Sequence, residues 1–189
     1  MFSKHAFAVY PLATMSAGAE CIAAAAKNYG HDPAAMLAAI RPDTHVVWIA
    51  KPNNPTGNFL PTAAAGAFIA KIPAHVCVVL DEAYNEYIPP EARVDSAAWI
   101  AEFPNLVVCR TFSKIYGLAG LRIGYALAAP EVADLMNRVR QPFNVNNLAI
   151  AGALAALDDH EFVATSYALN AAGKLQLVAG FERLGLSYI

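Results

Sequence analysis

Four short apolar stretches constrain this chain more than anything else in it: HVVWIA at 45–50, VCVVL at 76–80, LVVC at 106–109 and LRIGYALA at 121–128. Rich in β-branched and aliphatic residues, they lack the strict apolar–polar alternation of a strand with one wet face. Runs of this kind belong to strands buried on both faces. Helical signals lie around them. Asp32-Pro33 reads as an N-cap with proline at the first helical position, opening the helix AAMLAAI. Residues 62–72 read as a helix entered through Pro61, and 131–140 as another. From Asn146 to about Leu184 the chain is mostly helical, interrupted near Asp158-Asp159, with Gly173 and Gly180 weakening its continuity. The segment 19–27 reads two ways, helical by propensity and an edge strand by its place before a Tyr29-Gly30 turn. Strands alternating with helices imply an α/β fold with three layers, α/β/α, around a mostly parallel sheet. In such folds ligands bind at the C-terminal ends of the strands.

Composition supplies the exclusions. Of 189 residues 57% are hydrophobic and 15% charged, enough apolar material for a large core and too much for disorder. The net charge is −2 and no basic tract stands out, so neither nucleic acid nor an acidic membrane surface is an expected partner. Pro, Gly or charge breaks every apolar run before the roughly 20 residues of a membrane-spanning helix. The first ten residues carry no apolar signal core, and a cytoplasmic location is expected. Cys21, Cys77 and Cys109 are widely spaced and odd in number, which favours neither disulfides nor zinc, and no metal is expected.

Three polar segments follow the apolar runs. The first is KPNNPTGN at 51–58, where turn chemistry alone accounts for Pro, Asn and Gly, though a rigid turn also fixes an amide side chain at a strand end. The second, D-E-A-Y at 81–84, puts the Asp81 carboxylate at the end of a buried strand, where charge needs a partner. That partner is either a helix cap or arginine on the one hand, or a cofactor's protonated ring nitrogen on the other, with Tyr84 near the same ring. The third is T-F-S-K at 111–114, followed by Y-G-L-A-G-L-R-I-G-Y at 116–125. A lone lysine there is ordinarily a solvated loop residue. Here the Thr111 and Ser113 hydroxyls and the Arg122 guanidinium form a cradle suited to a phosphate dianion, and Gly117, Gly120 and Gly124 allow a tight turn around it. No GxGxxG follows an early strand, which disfavours a dinucleotide binder.

Taken in order, N-N-P-T-G, D-E-A-Y and T-F-S-K with G-L-R-x-G-Y resemble the fold-type I pyridoxal-phosphate (PLP) aminotransferases of class I/II. HAFAVYPLAT, FSKIYGLAGLRIGY and PFNVNNLAIAGALAAL are most similar to the histidinol-phosphate aminotransferase branch, from Ser3 to Ile189. The resemblance implies pyridoxal 5′-phosphate as cofactor and Lys114 as the Schiff-base lysine and proton shuttle. It implies Asp81 at the pyridinium nitrogen, Asn54 and Tyr84 at the ring O3′, and Thr111, Ser113 and Arg122 at the phosphate. Phe7 would stack on the ring, although the family's preceding Pro-Thr is absent. The implied reaction is transamination of histidinol phosphate with 2-oxoglutarate in histidine biosynthesis, by a ping-pong route in a homodimer. Alternatives are an aromatic amino-acid aminotransferase, a threonine-phosphate decarboxylase relative, or a non-catalytic remnant.

Family chains are about twice as long, so the fold is expected to be incomplete at both ends. Residues 1–145 would form part of the large PLP domain, and 146–189 a helical lead into an absent small domain. The missing parts include a phosphate-binding helix N-terminus and a carboxylate-binding arginine. Their loss implies exposed apolar surface, an open sheet edge, and weak or no cofactor binding by the isolated chain.

Overall fold

The computed structural model describes residues 1–189. The chain runs β1 (Phe2–Ser3), α1 (Val9–Ser16), β2 (Ala23–Ala24), β3 (Ala26–Lys27), β4 (Gly30–His31), α2 (Pro33–Ala38), β5 (Val46–Ala50) and α3 (Thr62–Ile69). It continues through β6 (Cys77–Asp81), β7 (Leu106–Thr111), β8 (Gly124–Ala128), α4 (Pro130–Val139), α5 (Asn147–Asp158) and α6 (His160–Arg183). Two compact units emerge. Met1–Ala83, Val94–Arg110 and Tyr125–Arg140 form the first; Tyr84–Arg93, Thr111–Gly124 and Gln141–Ile189 form the second.

The first unit is built on a sheet in the order β5-β6-β7-β8, with β5–β6 and β6–β7 parallel. The fold is therefore α/β with a mostly parallel sheet. Register follows from the pleat: Val47 pairs with Val78, Ile49 with Leu80, and Leu80 with Val108. Alternate side chains on one face thus meet Met36 of α2 and Phe68 and Ile69 of α3 in one buried core. Phe68 and Ile69 are 2% exposed, and each contributes about 2–3 kcal/mol by burial. On the opposite face, Ala50 and Trp48 pack with Phe2 and with Tyr10 of α1. Helices on both faces explain why the strands are apolar on both sides.

Several boundaries differ from expectation. The 121–128 strand begins only at Gly124, because Ala119–Leu121 form a 3-10 turn and Arg122 adopts the left-handed conformation, φ 55°. The helix from Thr62 ends at Ile69 rather than at 72. Segment 19–27 resolves towards strand. β2 pairs in parallel with β1, and β3 forms a hairpin with β4 through Asn28 and Tyr29, both at positive φ, as a tight hairpin turn requires. Helix α1 had no counterpart in the sequence reading. Its first residues lack a side-chain cap, so nothing local announced it. Asp32 does cap α2, accepting from the amides of Ala34 and Ala35.

In the second unit, Asn146 caps α5 and Asp159 caps α6, the break expected near Asp158-Asp159. Gly152 packs closely, since a Cβ there would lie 2.9 Å from Leu121 Cδ1 and that side chain would have to shift. Gly173 and Gly180 do not interrupt α6, which runs for 24 residues. Leu148, Leu154, Leu169, Leu175 and Leu177 of α5 and α6 are exposed. No helix is long and apolar enough to cross a membrane.

Candidate functional site

The parallel strands deliver polar residues to their C-terminal ends. Ala50, Asp81 and Cys109 stand in register across β5, β6 and β7, and the Asn-Pro loop, D-E-A-Y and T-F-S-K follow directly. Asp81 lies on the sheet face that carries Trp48 and Ala50, the face covered by α1. Its carboxylate is half-buried and met from two directions: the Tyr10 hydroxyl donates to Oδ2 at 2.7 Å, and the Ala83 amide donates to Oδ1 at 3.0 Å. The partner is therefore neither an arginine nor a helix N-terminus, the two structural alternatives read from the sequence. Tyr10 itself stacks on Trp48, with ring centroids 4.8 Å apart and planes 14° from parallel. Phe7, half-buried, meets Tyr10 edge-on at 5.8 Å.

In the loop after β5, Asn53 and Asn54 have different surroundings. Asn53 is 3% exposed and its Nδ2 donates to the His5 carbonyl and to Thr56 Oγ1, each at 2.7 Å. Its backbone closes the turn, with Asn53 N–H to Asn58 O and Gly57 N–H to Asn53 O. Gly57 has φ +69°, a conformation that suits only glycine well. Both Lys51-Pro52 and Asn54-Pro55 are cis. Asn54 is half-buried on this pinned loop.

Behind the strand ends lies a buried charge cluster that the sequence reading missed. Glu82 is fully buried, and its Oε2 receives Arg110 through Nε and Nη2, both at 3.0 Å. Arg110 Nη2 also reaches Ser96 Oγ at 3.4 Å. Burial works against the Arg110 charge, but Glu82 and Tyr125 outweigh it and hold its pKa above the usual value. Lys51 is also fully buried; burial lowers its pKa, Glu82 opposes that shift, and its Nζ lies 5.0 Å from the Phe59 ring centroid. One signal was available in the sequence: a second carboxylate next to Asp81 at the end of an apolar run.

The second unit holds the T-F-S-K segment. Thr111 Oγ1 accepts the Ser113 amide at 3.0 Å, a local turn that leaves the Thr111 hydroxyl hydrogen free to donate elsewhere. Lys114 is exposed, and its Nζ lies 5.3 Å from the Tyr84 ring centroid. Gly117, at φ +70°, reverses the chain after Lys114, and the Gly117 amide donates to the Lys114 carbonyl at 2.9 Å. Arg122 is an arginine in left-handed backbone geometry, uncommon for a residue with a side chain. Its exposed guanidinium donates to the Ala119 carbonyl at 2.7 Å rather than to Thr111 or Ser113. Beside Tyr84, burial and Glu86 raise the Tyr87 pKa while Lys114 pulls it down. Arg93 ties the 84–93 segment together, donating to the carbonyls of Ile88 and Glu86, each at 2.7 Å.

Chemically, these residues offer a primary amine, a guanidinium, two hydroxyls, a phenol and a carboxylate already held by neutral donors. The Asp81 carboxylate can meet a ring cation, and Lys114 can condense with a carbonyl carbon.

The family model for aminotransferase class I and II matches residues 2–189. Histidinol-phosphate aminotransferase 1 of Dechloromonas aromatica is 71% identical over the whole chain, which covers 52% of that relative. Histidinol-phosphate aminotransferase 2 of Nitrosospira multiformis is 58% identical, again over the whole chain, with 48% of that protein covered. The chain thus spans about half the length of the curated relatives it matches. Among solved structures, histidinol-phosphate aminotransferase from Sinorhizobium meliloti in complex with pyridoxal-5′-phosphate superposes with a TM-score of 0.83 at 32% identity, over 88% of this chain and 45% of that one.

Proposed function

The chain belongs to the aminotransferase class I and II family, and from that premise we propose that it carries residues of a PLP-dependent transaminase acting on histidinol phosphate and 2-oxoglutarate. The observation that carries this reading is the pairing of an exposed Lys114 amine with the Tyr84 ring, on segments that follow the Asp81 and Thr111 strand ends. The 71% identity to a histidinol-phosphate aminotransferase supports the substrate, and the PLP complex of the S. meliloti relative supports the cofactor.

When bound, PLP supplies an electron sink for the bond broken at the substrate's α-carbon. Lys114 would hold the cofactor through its amine and, as a free amine, would take and return the proton at the substrate's α-carbon. The Asp81 carboxylate would meet the ring nitrogen. Asn54 and Tyr84 would donate to the ring's O3′ oxygen, and Phe7 would cover a ring face. Thr111 and Ser113 would donate hydroxyls to the phosphate, and Arg122 would supply its charge. In that role the Arg122 guanidinium would exchange the Ala119 carbonyl for a phosphate oxygen, a gain in charge-assisted bonding.

The protein acts in the cytoplasm as a homodimer; the exposed leucines of α5 and α6 support a second surface covering them. The test is direct. Purified full-length protein, supplied with PLP, histidinol phosphate and 2-oxoglutarate, is expected to form glutamate with ping-pong kinetics. Glutamate formation from phenylalanine or tyrosine but not from histidinol phosphate would transfer the assignment to aromatic amino-acid transamination. Release of CO2 from threonine phosphate would indicate the decarboxylase.

A further inference from the structure

A phenol hydroxyl in an apolar core must find an acceptor, because an unpartnered one loses its hydration without return. Tyr10 is 2% exposed, and the acceptor it finds is Oδ2 of Asp81 at 2.7 Å. The ring has little freedom to look elsewhere. Trp48 lies flat against it at 4.8 Å, Phe7 meets it edge-on at 5.8 Å, and the Tyr10 amide donates to the Phe7 carbonyl at 3.0 Å. The other carboxylate oxygen, Oδ1, is taken by the Ala83 amide at 3.0 Å. Two donors, one on each oxygen, therefore set the plane of the Asp81 carboxylate. One comes from the backbone that follows β6, the other from a helix on the sheet face.

We propose that Tyr10 is the positioning residue of Asp81: its hydroxyl fixes the orientation in which the carboxylate faces the cofactor's ring nitrogen. This rests on the reading that Asp81 pairs with that nitrogen. The same turn of chain carries Phe7 and Tyr10, so the residue assigned to the ring face and the residue that orients the ring's counter-charge move as one body. With Tyr10 in place, Asp81 reaches the ring nitrogen without paying rotamer entropy on binding.

The experiment uses the full-length holoprotein loaded with PLP labelled with 15N in the ring. Tyr10→Phe keeps the Trp48 and Phe7 ring contacts and removes only the donor. The 15N shift followed against pH is expected to show the ring nitrogen losing its proton about one pH unit lower than in the wild type, a tenfold weaker hold on that proton. The PLP dissociation constant should rise about tenfold, on the scale of one hydrogen bond to a charged group. In an Asp81→Asn background the same Tyr10→Phe change should leave the 15N titration where Asp81→Asn alone puts it. The proposal is overturned if Tyr10→Phe titrates like the wild type, or if its effect is the same size without the Asp81 carboxylate. A wild-type ring nitrogen that is unprotonated at neutral pH would overturn the Asp81 assignment as well, a result distinct from the other two.

Discussion

The ammonium of Lys114 lies over the ring of Tyr84, 5.3 Å from its centroid. The two residues come from segments 30 positions apart, D-E-A-Y and T-F-S-K, and both fall in the second compact unit. An exposed cation over a ring of this kind is held by only about 0.5–1 kcal/mol. The amine is thus placed but not locked, which suits the proposed role of a residue that forms and releases a covalent bond.

The first prediction concerns that amine. Borohydride reduction of the PLP-loaded full-length protein should fix the cofactor on a single peptide containing Lys114. Lys114→Ala should abolish the adduct and lower turnover by several orders of magnitude. Mass spectrometry reads the site, and an adduct that persists on another lysine would contradict the assignment.

The loop after β5 makes a second prediction. Asn53→Ala removes two hydrogen bonds from a buried side chain and should cost about 1–3 kcal/mol, seen as a lower denaturation midpoint. Asn54→Ala should reduce turnover, and full turnover in that variant would count against its place at the ring's O3′ oxygen.

A third follows from the buried pair. Arg110→Ala leaves Glu82 fully buried without its cation and should destabilise by about 3–5 kcal/mol. Substituting both residues with apolar ones of similar volume should recover part of that loss, the remainder going to Lys51, which then lacks the Glu82 charge. Urea unfolding of the single and double variants checks it, and simple additivity would count against coupling.

The fourth is a pH dependence. Burial, with smaller contributions from Asp81 and Cys77, raises the Cys109 pKa from 9.0 to about 11. The folded protein therefore keeps a proton that the unfolded chain has already released in this interval. Cys109 contributes stability that is fully present below pH 9 and is lost as pH rises towards 11, about 2–3 kcal/mol in all. Cys109→Ala should flatten that part of the stability–pH curve, and the Cys109 thiol of the native protein should resist alkylation at pH 8.

Much of this was legible in advance because it is local. The runs at 45–50, 76–80 and 106–109 became β5, β6 and β7 with ends moved by one or two residues, and Asp32 caps α2. Helix α1 was not legible, since Ala8 offers no capping side chain and the segment's stability comes from Tyr10 packing against the sheet. The late start of β8 was hidden by the apolar residues of 121–123, which a left-handed arginine takes out of the strand.

By itself, the sequence determined the segments of β5, β6 and β7, that the sheet is buried and mostly parallel, and which polar motifs stand at its C-terminal ends. Continuous apolar runs and turn residues act over a few positions, so their consequences can be read in order. Only the tertiary structure decided that Asp81 is held by Tyr10, that the neighbouring Glu82 takes Arg110, and that Asn53 helps to pin the loop. These choices depend on which strands are neighbours and which face each side chain takes. Pleat and register settle that across sequence separations of 28 to 71 positions.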